Sequence, residues 1–385
     1  MYTYKCLNPI AGIGLKNFTA NYEKVNEDEK ANIILVRSAK MHDMEFDDDL
    51  YAIARAGAGV NNIPLDKCAE QGIVVFNTPG ANANGVKELF VFAAIAGVRD
   101  IIGGIEWVQK EYANPEIAEL TEKEKKKFVG HEIMGKTLGI IGLGAIGVKV
   151  ANIAVELGMK VIGYDPYLPD ASKANLNSVV EIVENIDDLT SRAEMITIHV
   201  PANAKTVGMV DAGLLSRCRD GVIFINLARD TLVNTDDMNA ALNLGKVSKY
   251  ICDFPTFDTC KMKNTIFIPH LGASTEESED NCAIMAVQEV VDFMENGNIK
   301  NSVNFPTVDM GRAPEGIRIC VTHKSSVKAS DIVNKLTSMG SSVRGMATKE
   351  KGDYAYSIFD ITTCLAQPEG QLNMDGVLKV RVIKK

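Results

Sequence analysis

Long apolar runs and targeting segments are the first features that this sequence lacks. The best candidate for a membrane segment, the apolar run Phe90–Val98, falls well short of the roughly 18 residues that cross a bilayer. The N-terminal sequence MYTYKCLNPIAG has no basic segment followed by an apolar one, as a secretory signal peptide would. We therefore expect a cytoplasmic protein without a membrane segment.

Paired cysteines and an excess of positive charge are lacking as well. The eight cysteines are scattered and include no C-x-x-C pair, which predicts reduced structural thiols and no structural metal site. The formal net charge of −9 argues against nucleic acid or an anionic membrane as a partner. A negatively charged substrate would therefore need its own local group of basic side chains.

What the chain does have is an ordinary globular composition over a considerable length. Apolar residues make up 46% and charged residues 24% of its 385 residues. This length predicts roughly two to three domains, each large enough to bury its own core.

The most informative segment is GKTLGIIGLGAIGVKVANIAVELGMKVIGYD, residues 135–165. An apolar run, Thr137–Ile141, is followed by three glycines and then by apolar residues at helical spacing. Gly142 would allow a tight strand-to-helix turn, Gly144 a close approach of the backbone to a pyrophosphate, and Gly147 close packing of the helix on the strand. The segment therefore predicts a dinucleotide-binding unit.

A helix N-terminus and an acidic residue complete this pattern. The helix that begins with Ala145 and Ile146 would present free N–H groups and a positive dipole end to the phosphates. A second apolar run ends on Asp165, eighteen residues after the third glycine, where a carboxylate can accept hydrogen bonds from the ribose hydroxyls. Because Pro166 and Tyr167 follow, with no Arg or Lys to receive a 2′-phosphate, the sequence favours NAD over NADP.

Short apolar runs alternate with turns on both sides of this motif, which is typical of an α/β fold with parallel sheets. After the motif these runs are Met195–Val200, Val222–Leu227, Tyr250–Asp253 and Ile266–Pro269. Ligands of such sheets bind beyond the carboxyl ends of the strands, so reactive groups are expected there.

Longer helices are predicted before and after this region. Gly85–Val98 is apolar over a helical length, and Ser274, with a glutamate three residues later, has the capping-box pattern of a long helix that ends near Gly297. The long apolar helices at 85–98 and 282–294 lead us to expect a homodimer or homotetramer. The charged segment Asn114–Gly130 is expected to be irregular and solvated.

Three strand ends carry groups suited to the oxidation of an alcohol. Arg229, Asp258 and His270 follow the second, third and fourth of the apolar runs. A histidine can accept the hydroxyl proton near neutral pH, and a carboxylate beside it would fix the tautomer and stabilise the imidazolium. An arginine can bind a substrate carboxylate through two hydrogen bonds. The set predicts hydride transfer between a hydroxy acid and the dinucleotide.

The remaining histidines are weaker candidates. A lone histidine is more often structural than catalytic, and we expect this of His42, His131 and His323. His199 ends the run Met195–Val200 and precedes Pro201, so it can equally form a wall of the cofactor pocket.

Eight segments between about residues 33 and 305 form a recognisable set. They are VRSA (Val36–Ala39), RAGAGVNNI (Arg55–Ile63), GIVVFNTPGAN (Gly72–Asn82), GKTLGIIGLGAIG, HVP (His199–Pro201), NLAR (Asn226–Arg229), DFPTFD and PHLGAST. The set resembles the D-isomer-specific 2-hydroxyacid dehydrogenases.

The resemblance implies a role for each matching position. Arg229 would bind substrate, Asp258 would orient His270, and His270 would be the acid and base. Asp253 and the Gly272 backbone would engage the nicotinamide carboxamide. Further cofactor contacts are expected from His199, Val200, Pro201, Leu227 and Ala228, and substrate contacts from Arg37, Ala58, Gly59, Val60, Asn82 and Asn84.

The resemblance also implies an activity and an architecture. We expect NAD-dependent oxidation of D-3-phosphoglycerate to 3-phosphohydroxypyruvate, the first step of phosphorylated L-serine synthesis. A Rossmann NAD domain (91–283) would be inserted in a flavodoxin-like substrate domain (1–90 and 284–308), followed by an ACT-like domain (315–385) with a regulatory or oligomerisation role. For the substrate phosphate, Arg37 is the first candidate, and Lys16 and the run Lys123–Lys127 are weaker ones.

The chain departs from the family pattern near the expected acid. Asp258 stands where the family usually has Glu, and Asn61 replaces an Asp. Phe257 could be aligned with the family's Glu instead, which would leave no acid. We favour Asp258 because it lies five residues after Asp253, which is the family's spacing.

The tail after Ile317 fits its family counterpart less well. The serine-binding turn of ACT domains, His-x-Asn-x-Pro-Gly, reads His323-Lys-Ser-Ser-Val-Lys here, and AQPEGQLNMDG (366–376) replaces the second helix. We therefore favour a structural or oligomerisation role over feedback by serine.

Two other functions stay open. A reductase of glyoxylate, hydroxypyruvate or another 2-keto acid would use the same reactive groups without a phosphate subsite. A non-catalytic, dinucleotide-sensing binding protein would keep the fold without turnover, although the complete set of Arg, acid and His argues against it.

Overall fold

The structure, a computed structural model, describes residues 1–362, 370 and 372–385. It divides into two compact units: unit 1 comprises Met1–Asn82 and Glu276–Lys385, and unit 2 comprises Ala83–Thr275. The finer boundaries predicted above stay a prediction. The predicted replacement of a helix at 366–376 falls partly outside the described residues.

The N-terminal part of unit 1 is a five-stranded parallel sheet of order β2-β1-β3-β4-β5. The strands are β1 (Tyr2–Cys6), β2 (Tyr22–Lys24), β3 (Ile33–Val36), β4 (Ala52–Arg55) and β5 (Val74–Phe76), with helices α1 (Gly12–Leu15) and α2 (Leu65–Glu70). Every residue of β3 and β5 is buried, because continuous apolar runs can pack against covering segments on both faces of the sheet.

Unit 2 contains a seven-stranded parallel sheet of order β12-β11-β10-β9-β6-β7-β8. Its strands are β6 (Thr137–Ile141), β7 (Lys160–Tyr164), β8 (Glu181–Ile182), β9 (Met195–Ile198), β10 (Val222–Asn226), β11 (Val247–Cys252) and β12 (Thr265–Phe267). The strand order reverses between β6 and β9, and ligands of open parallel sheets bind at such a point. The predicted α/β class with two parallel sheets is confirmed.

Eight α-helices lie among the described residues of unit 2. They are α3 (Ala83–Val98), α4 (Ile101–Lys110), α5 (Ile117–Glu124), α6 (Ala145–Glu156), α7 (Asp170–Ala174), α8 (Ile186–Thr190), α9 (Ala212–Arg217) and α10 (Thr235–Asn243). Short 3₁₀ turns occur at Lys125–Phe128, Asp230–Leu232 and Thr259–Lys261. Among the described residues, none of the helices combines the length and apolarity that a membrane span requires.

The expectation of an irregular segment at 114–130 was wrong. The segment contains α5 and a 3₁₀ turn, and two of its lysines, Lys125 and Lys127, form ion pairs with Glu122 and Glu124 three residues earlier. Ion pairs at this spacing stabilise helical turns, so a highly charged sequence can still be helical.

Unit 1 resumes with α11 (Glu276–Asn296), whose start differs from the prediction. Ser274 was expected to cap this helix, but its hydroxyl donates to the His270 carbonyl oxygen at 3.2 Å and so closes the preceding turn. The predicted end is confirmed, since Gly297 follows the helix in the left-handed region with φ of 77°.

The tail forms a four-stranded antiparallel sheet of order β14-β15-β13-β16. Its elements are β13 (Ile317–Lys324), α12 (Ala329–Ser338), β14 (Val343–Lys351), β15 (Tyr354–Ile361) and β16 (Val377–Lys384). Side chains alternate between the two faces of a strand, and β13 has apolar side chains on both of its faces. Ile319 and Val321 pack with α12, whereas Cys320 packs in the same core as Phe293 of α11.

Two buried arginines fix the tail sheet to the carboxyl end of α11. Arg381 donates to the carbonyl oxygens of Phe293 and Met294 at 2.5 and 2.7 Å. Arg318 pairs with Asp360 at 2.7 Å and donates to the Asn296 carbonyl oxygen, also at 2.7 Å. The last turn of a helix leaves carbonyl groups without partners and carries partial negative charge, so both guanidinium groups are well placed.

Substitution of Arg381 by Met tests this attachment. Arg381 is only 5% exposed. Arg381→Met would remove the donor to the Met294 carbonyl oxygen, whereas the Phe293 carbonyl oxygen would keep its bond from the Gly297 N–H. We expect the free energy of unfolding to fall by about 2 kcal/mol. We expect a clearly lower midpoint in thermal unfolding followed by calorimetry. Arg344→Met, at an exposed position of β14, is the matched control, and equal midpoints for the two variants would contradict the assignment.

Candidate active site

The glycine-rich turn between β6 and α6 has the close contacts that its sequence predicts. Gly142 has φ of 95°, and a Cβ atom there would lie 2.8 Å from the His199 carbonyl oxygen. A Cβ on Gly147 would overlap the Gly142 carbonyl oxygen. Larger residues at either position would therefore displace the backbone of the turn.

Gly144, in contrast, faces open space. A Cβ on Gly144 would have no protein atom within 4 Å among the described residues, and this residue is the N-cap of α6. The turn thus leaves room beside a helix N-terminus, as a phosphate group requires. The residues present fit a bound dinucleotide at this point.

Asp165, at the end of β7, holds the turn and retains capacity for a ligand. Its two carboxylate oxygens accept hydrogen bonds from the N–H groups of Leu143 and Tyr167 at 2.8 and 2.9 Å. Each carboxylate oxygen has a further lone pair, so both can also accept a ribose hydroxyl.

His199, at the end of β9, is suited to a pocket wall rather than to proton transfer. Burial lowers the pKa of His199 to about 3, which keeps the imidazole neutral. One ring nitrogen, Nε2, lies 3.0 Å from the Thr197 hydroxyl, whereas the buried Nδ1 has no partner among the described residues. A buried nitrogen without a partner fits a ligand that would supply one.

Arg229 is presented by a tight turn that follows β10. Asn226 is fully buried, and its amide group accepts from the N–H of Ala228 at 3.1 Å and donates to the Arg229 carbonyl oxygen at 2.7 Å. No role was predicted for Asn226, although an amide side chain at a strand end is a common signal for a turn. Leu227, inside the turn, is buried.

Asp253, after β11, organises the loop that carries His270. It is 1% exposed, and its carboxylate accepts hydrogen bonds from the N–H groups of Leu271 and Gly272 at 2.7 and 2.8 Å. Burial raises the pKa of Asp253, and these N–H groups act in the opposite direction by stabilising the ionised form. The expected contact of Asp253 and Gly272 with nicotinamide stays a prediction, because in this structure they bind each other.

His270 is exposed and has a strained backbone. Its φ of 55° lies in the left-handed region, which is uncommon for residues other than glycine and often marks functional positions. Its backbone N–H donates to the carbonyl oxygen of Asp253 at 3.1 Å.

Arg229 and His270 both contact the aromatic ring of Phe254. The centroids of the Phe254 and His270 rings are 4.7 Å apart, and the Arg229 guanidinium carbon lies 5.9 Å from the centre of the same Phe254 ring. An aromatic ring attracts a cation on its face and excludes water from it. No role was predicted for Phe254, although its place directly after a strand end is a signal for a site residue.

Asp258 is not brought to the imidazole in this structure. Its side chain is 75% exposed and forms an ion pair with Lys261 at 3.0 Å. The same lysine lies 3.6 Å from the centre of the exposed Phe257 ring. A role for Asp258 in orienting His270 therefore stays a prediction.

The predicted substrate-binding residues are divided between the two units. Arg37, Ala58, Gly59, Val60 and Asn82 belong to unit 1, and Asn84, Arg229 and His270 to unit 2. In unit 1, the guanidinium of Arg37 pairs with Glu279 at 2.6 Å. In unit 2, the Asn84 side chain accepts from Lys87 and donates to Glu88, both at 2.7 Å.

Unit 2 therefore contains a proton acceptor, His270, and a cation, Arg229. It also contains the glycine-rich turn and Asp165, which together form a cofactor cradle for a dinucleotide. Within the described residues, no three or more His, Cys, Asp or Glu side chains are grouped so that they could hold a metal ion.

Comparisons with known proteins agree with this geometry. The family description "D-isomer specific 2-hydroxyacid dehydrogenase, NAD binding domain" matches residues 91–272. A D-3-phosphoglycerate dehydrogenase of Archaeoglobus fulgidus is 31% identical over 307 residues, which are 77% of this chain and 56% of that protein. The chain thus spans a little over half the length of that relative.

Two further comparisons cover most of the related protein. A hydroxypyruvate reductase of Thermotoga maritima is 34% identical over 273 residues, which are 68% of this chain and 84% of that protein. The crystal structure of an Entamoeba histolytica 3-phosphoglycerate dehydrogenase with bound NAD⁺ superposes with a TM-score of 0.60 at 27% identity, covering 79% of this chain and 98% of that one. The chain belongs to the D-isomer specific 2-hydroxyacid dehydrogenase family, and its unit 2 contains the NAD-binding domain of that family.

Proposed function

We propose that the protein is an NAD-dependent D-3-phosphoglycerate dehydrogenase, which oxidises D-3-phosphoglycerate to 3-phosphohydroxypyruvate in the synthesis of L-serine. The observation that carries the proposal is the convergence of Arg229 and His270 on the Phe254 ring, in the unit that has the cofactor cradle. Relatives named D-3-phosphoglycerate dehydrogenase support the choice of substrate.

In the proposed reaction, His270 is the general base. Its imidazole accepts the proton of the C2 hydroxyl as the C2 hydrogen leaves with its electron pair. NAD, when bound, supplies the acceptor for that hydride. In the reverse direction the imidazolium returns the proton to the carbonyl oxygen.

Arg229 has a binding role in this scheme. Its guanidinium holds the substrate carboxylate and polarises the carbonyl oxygen as it forms, because this planar cation can donate two parallel hydrogen bonds. One of its nitrogens, Nη1, donates to the Ala228 carbonyl oxygen, which leaves the other donors for a ligand. The Phe254 ring contacts both this cation and the imidazole.

Several candidates for the phosphate subsite are already engaged in ion pairs. Arg37 is the first candidate, but its charge is already paired with Glu279 at 2.6 Å. Lys125 and Lys127, in the run considered as a weaker candidate, pair with glutamates. This pairing favours a second candidate function, reduction of hydroxypyruvate or glyoxylate, in which no phosphate is bound.

A non-catalytic, dinucleotide-sensing protein is a third and more distant possibility. Such a protein would need neither Arg229 nor a histidine that is held in a left-handed conformation. Turnover with any 2-hydroxy acid separates it from both enzymatic proposals.

The tail is proposed to have a structural rather than a serine-sensing role. His323 lies where the serine-binding turn of an ACT-like domain would begin, and its ring nitrogens are engaged by the Ser357 hydroxyl at 2.8 Å and the Lys324 carbonyl oxygen at 2.9 Å. Burial lowers the pKa of His323, because the charged imidazolium is disfavoured inside the sheet.

A homodimer or homotetramer in the cytoplasm is proposed for the assembly. The apolar face of α11 cannot provide the interface, because residues such as Val290 and Phe293 pack in the core of unit 1. The exposed apolar side chains Ile101, Ile105 and Val108 of α4 are better placed to contact a second copy.

Gly144→Ala tests the cofactor cradle. The added methyl group meets no protein atom within 4 Å among the described residues, so the free protein should unfold at an unchanged temperature. It would intrude on the pyrophosphate, and we expect NADH to bind at least about tenfold more weakly in a fluorescence titration.

Gly221→Ala is a control for the glycine substitution itself, because Gly221 is also open but has φ of 76° and lies outside the cradle. It should unfold at a lower temperature while it binds NADH normally. Unchanged NADH affinity in Gly144→Ala would remove Gly144 from the cradle.

The proposed reaction is tested by NADH absorbance with a panel of substrates. D-3-phosphoglycerate with NAD would be compared with phosphohydroxypyruvate, hydroxypyruvate and glyoxylate with NADH. A strong preference for the phosphorylated pair is expected. A preference for an unphosphorylated keto acid would keep the chemistry and replace the substrate.

His270→Ala should lower kcat by about three orders of magnitude or more, since the general base is lost, while NADH still binds. His42→Ala is the control, because His42 was expected to be structural. Near-normal turnover in His270→Ala would exclude this histidine as the base.

A further inference from the structure

A carboxyl group lies on the buried face of α11, where packing alone would favour an aliphatic side chain. Glu289 is 8% exposed, between Val287 and Val290, which are fully buried. Burial raises the pKa of Glu289 to about 8. A buried carboxyl group is costly unless its hydrogen bonds serve the fold or the site.

One oxygen of this carboxyl group holds a strained residue. Glu289 Oε1 accepts a hydrogen bond from the Asn301 side-chain nitrogen at 2.6 Å. Asn301 has φ of 54°, a left-handed conformation that asparagine tolerates better than most residues. In this conformation its carbonyl oxygen accepts the N–H of Asn77 at 3.3 Å.

Asn77 and its neighbour Thr78 in turn bind the loop of residues 57–60. The Asn77 side-chain nitrogen donates to the Ala58 carbonyl oxygen at 2.6 Å. The next residue, Thr78, is fully buried and accepts the N–H of Gly57 on its hydroxyl at 2.7 Å. The loop 57–60 is therefore held at two consecutive residues by a segment that itself contacts Asn301.

A second side chain of α11 reaches the same segment. Cys282 lies seven residues before Glu289, which places both on one face of the helix two turns apart. Burial raises the pKa of the Cys282 thiol, and the neighbouring Thr78 side chain acts in the opposite direction. Glu289 thus connects to Asn77 through Asn301, and Cys282 lies near Thr78.

We propose that Glu289 is a positioning residue, which acts through Asn301 and Asn77 to fix the backbone of the loop 57–60 for binding of the hydroxy-acid substrate. The inference rests on the proposed function, because Ala58, Gly59 and Val60 are the residues expected to contact substrate through their backbone. Glu289 itself touches neither substrate nor cofactor in this scheme. It would set the affinity for substrate and leave the cofactor site in unit 2 unchanged.

Kinetics of three variants test the proposal. Asn77→Ala and Glu289→Leu each break the chain of hydrogen bonds, and each should raise the KM for the hydroxy acid about fivefold to tenfold with the KM for NAD unchanged. Glu289→Gln keeps an oxygen that can accept from Asn301, so its KM should stay within about twofold of the native value.

Asn304→Ala is the control for a purely structural effect. Asn304 is also buried, and it binds the backbone of Ile73 and Val75 without contact to the loop. It should lower the unfolding temperature and leave both KM values unchanged. An unchanged KM for the hydroxy acid in Asn77→Ala would overturn the proposal. This variant decides the test even if Glu289→Leu does not fold.

Amide hydrogen exchange provides a measurement that needs no substrate. Exchange in the loop 57–60 should accelerate in Asn77→Ala and Glu289→Leu, and not in Gln288→Ala, which alters an exposed neighbour on α11. Equal exchange in all variants would overturn the inference. If exchange accelerates but the native protein turns over no hydroxy acid, the loop contact stands and the proposed function fails.

Discussion

A buried carboxylate that binds two successive backbone N–H groups holds the candidate site together. Asp253 leaves the end of β11, and the loop after β12 folds around it, so that Leu271 and Gly272 both donate to its side chain. This arrangement keeps His270 in a left-handed conformation that an isolated chain would avoid. The position of the imidazole is therefore set by a neighbouring strand and not by the residues around His270 alone.

The parallel sheet makes such an arrangement possible. Because β10, β11 and β12 run side by side in one direction, the residues that follow them meet at one edge of the sheet. Arg229, Phe254 and His270 come from three successive strand ends, and the glycine-rich turn follows β6 at the point where the strand order reverses. Cofactor cradle and reactive groups are thus consequences of one sheet topology.

Unit 1 is organised around α11 in a comparable way. Its middle carries Glu289, which binds Asn301, and its carboxyl end is covered by Arg318 and Arg381 of the tail sheet. One helix therefore connects the expected substrate loop with the C-terminal sheet. This explains why the tail packs as part of unit 1. The expected ACT-like domain with a regulatory or oligomerisation role stays a prediction.

Much of the fold and part of the site were predictable from sequence, because they depend on local patterns. The glycine spacing, the apolar runs and Asp165 belong to contiguous segments with fixed conformational needs. The contacts of Phe254 with Arg229 and His270, and the pairing of Asp258 with Lys261, were not predictable, since they depend on which side chains meet after the chain has folded. The helix α5 was missed because the charged composition of its segment suggested an irregular, solvated chain. The same charges form ion pairs three residues apart, which is the spacing of a helical turn.

The most direct test of this account is the turnover of Asp253→Asn. An amide in this place can accept only one of the two N–H groups and turns its own NH₂ toward the other, so the His270 loop should relax. We predict that kcat falls by about two orders of magnitude, because small displacements of a proton acceptor are costly, while NADH still binds. A kcat close to that of the native protein would show that the two hydrogen bonds of Asp253 to the loop do not position His270.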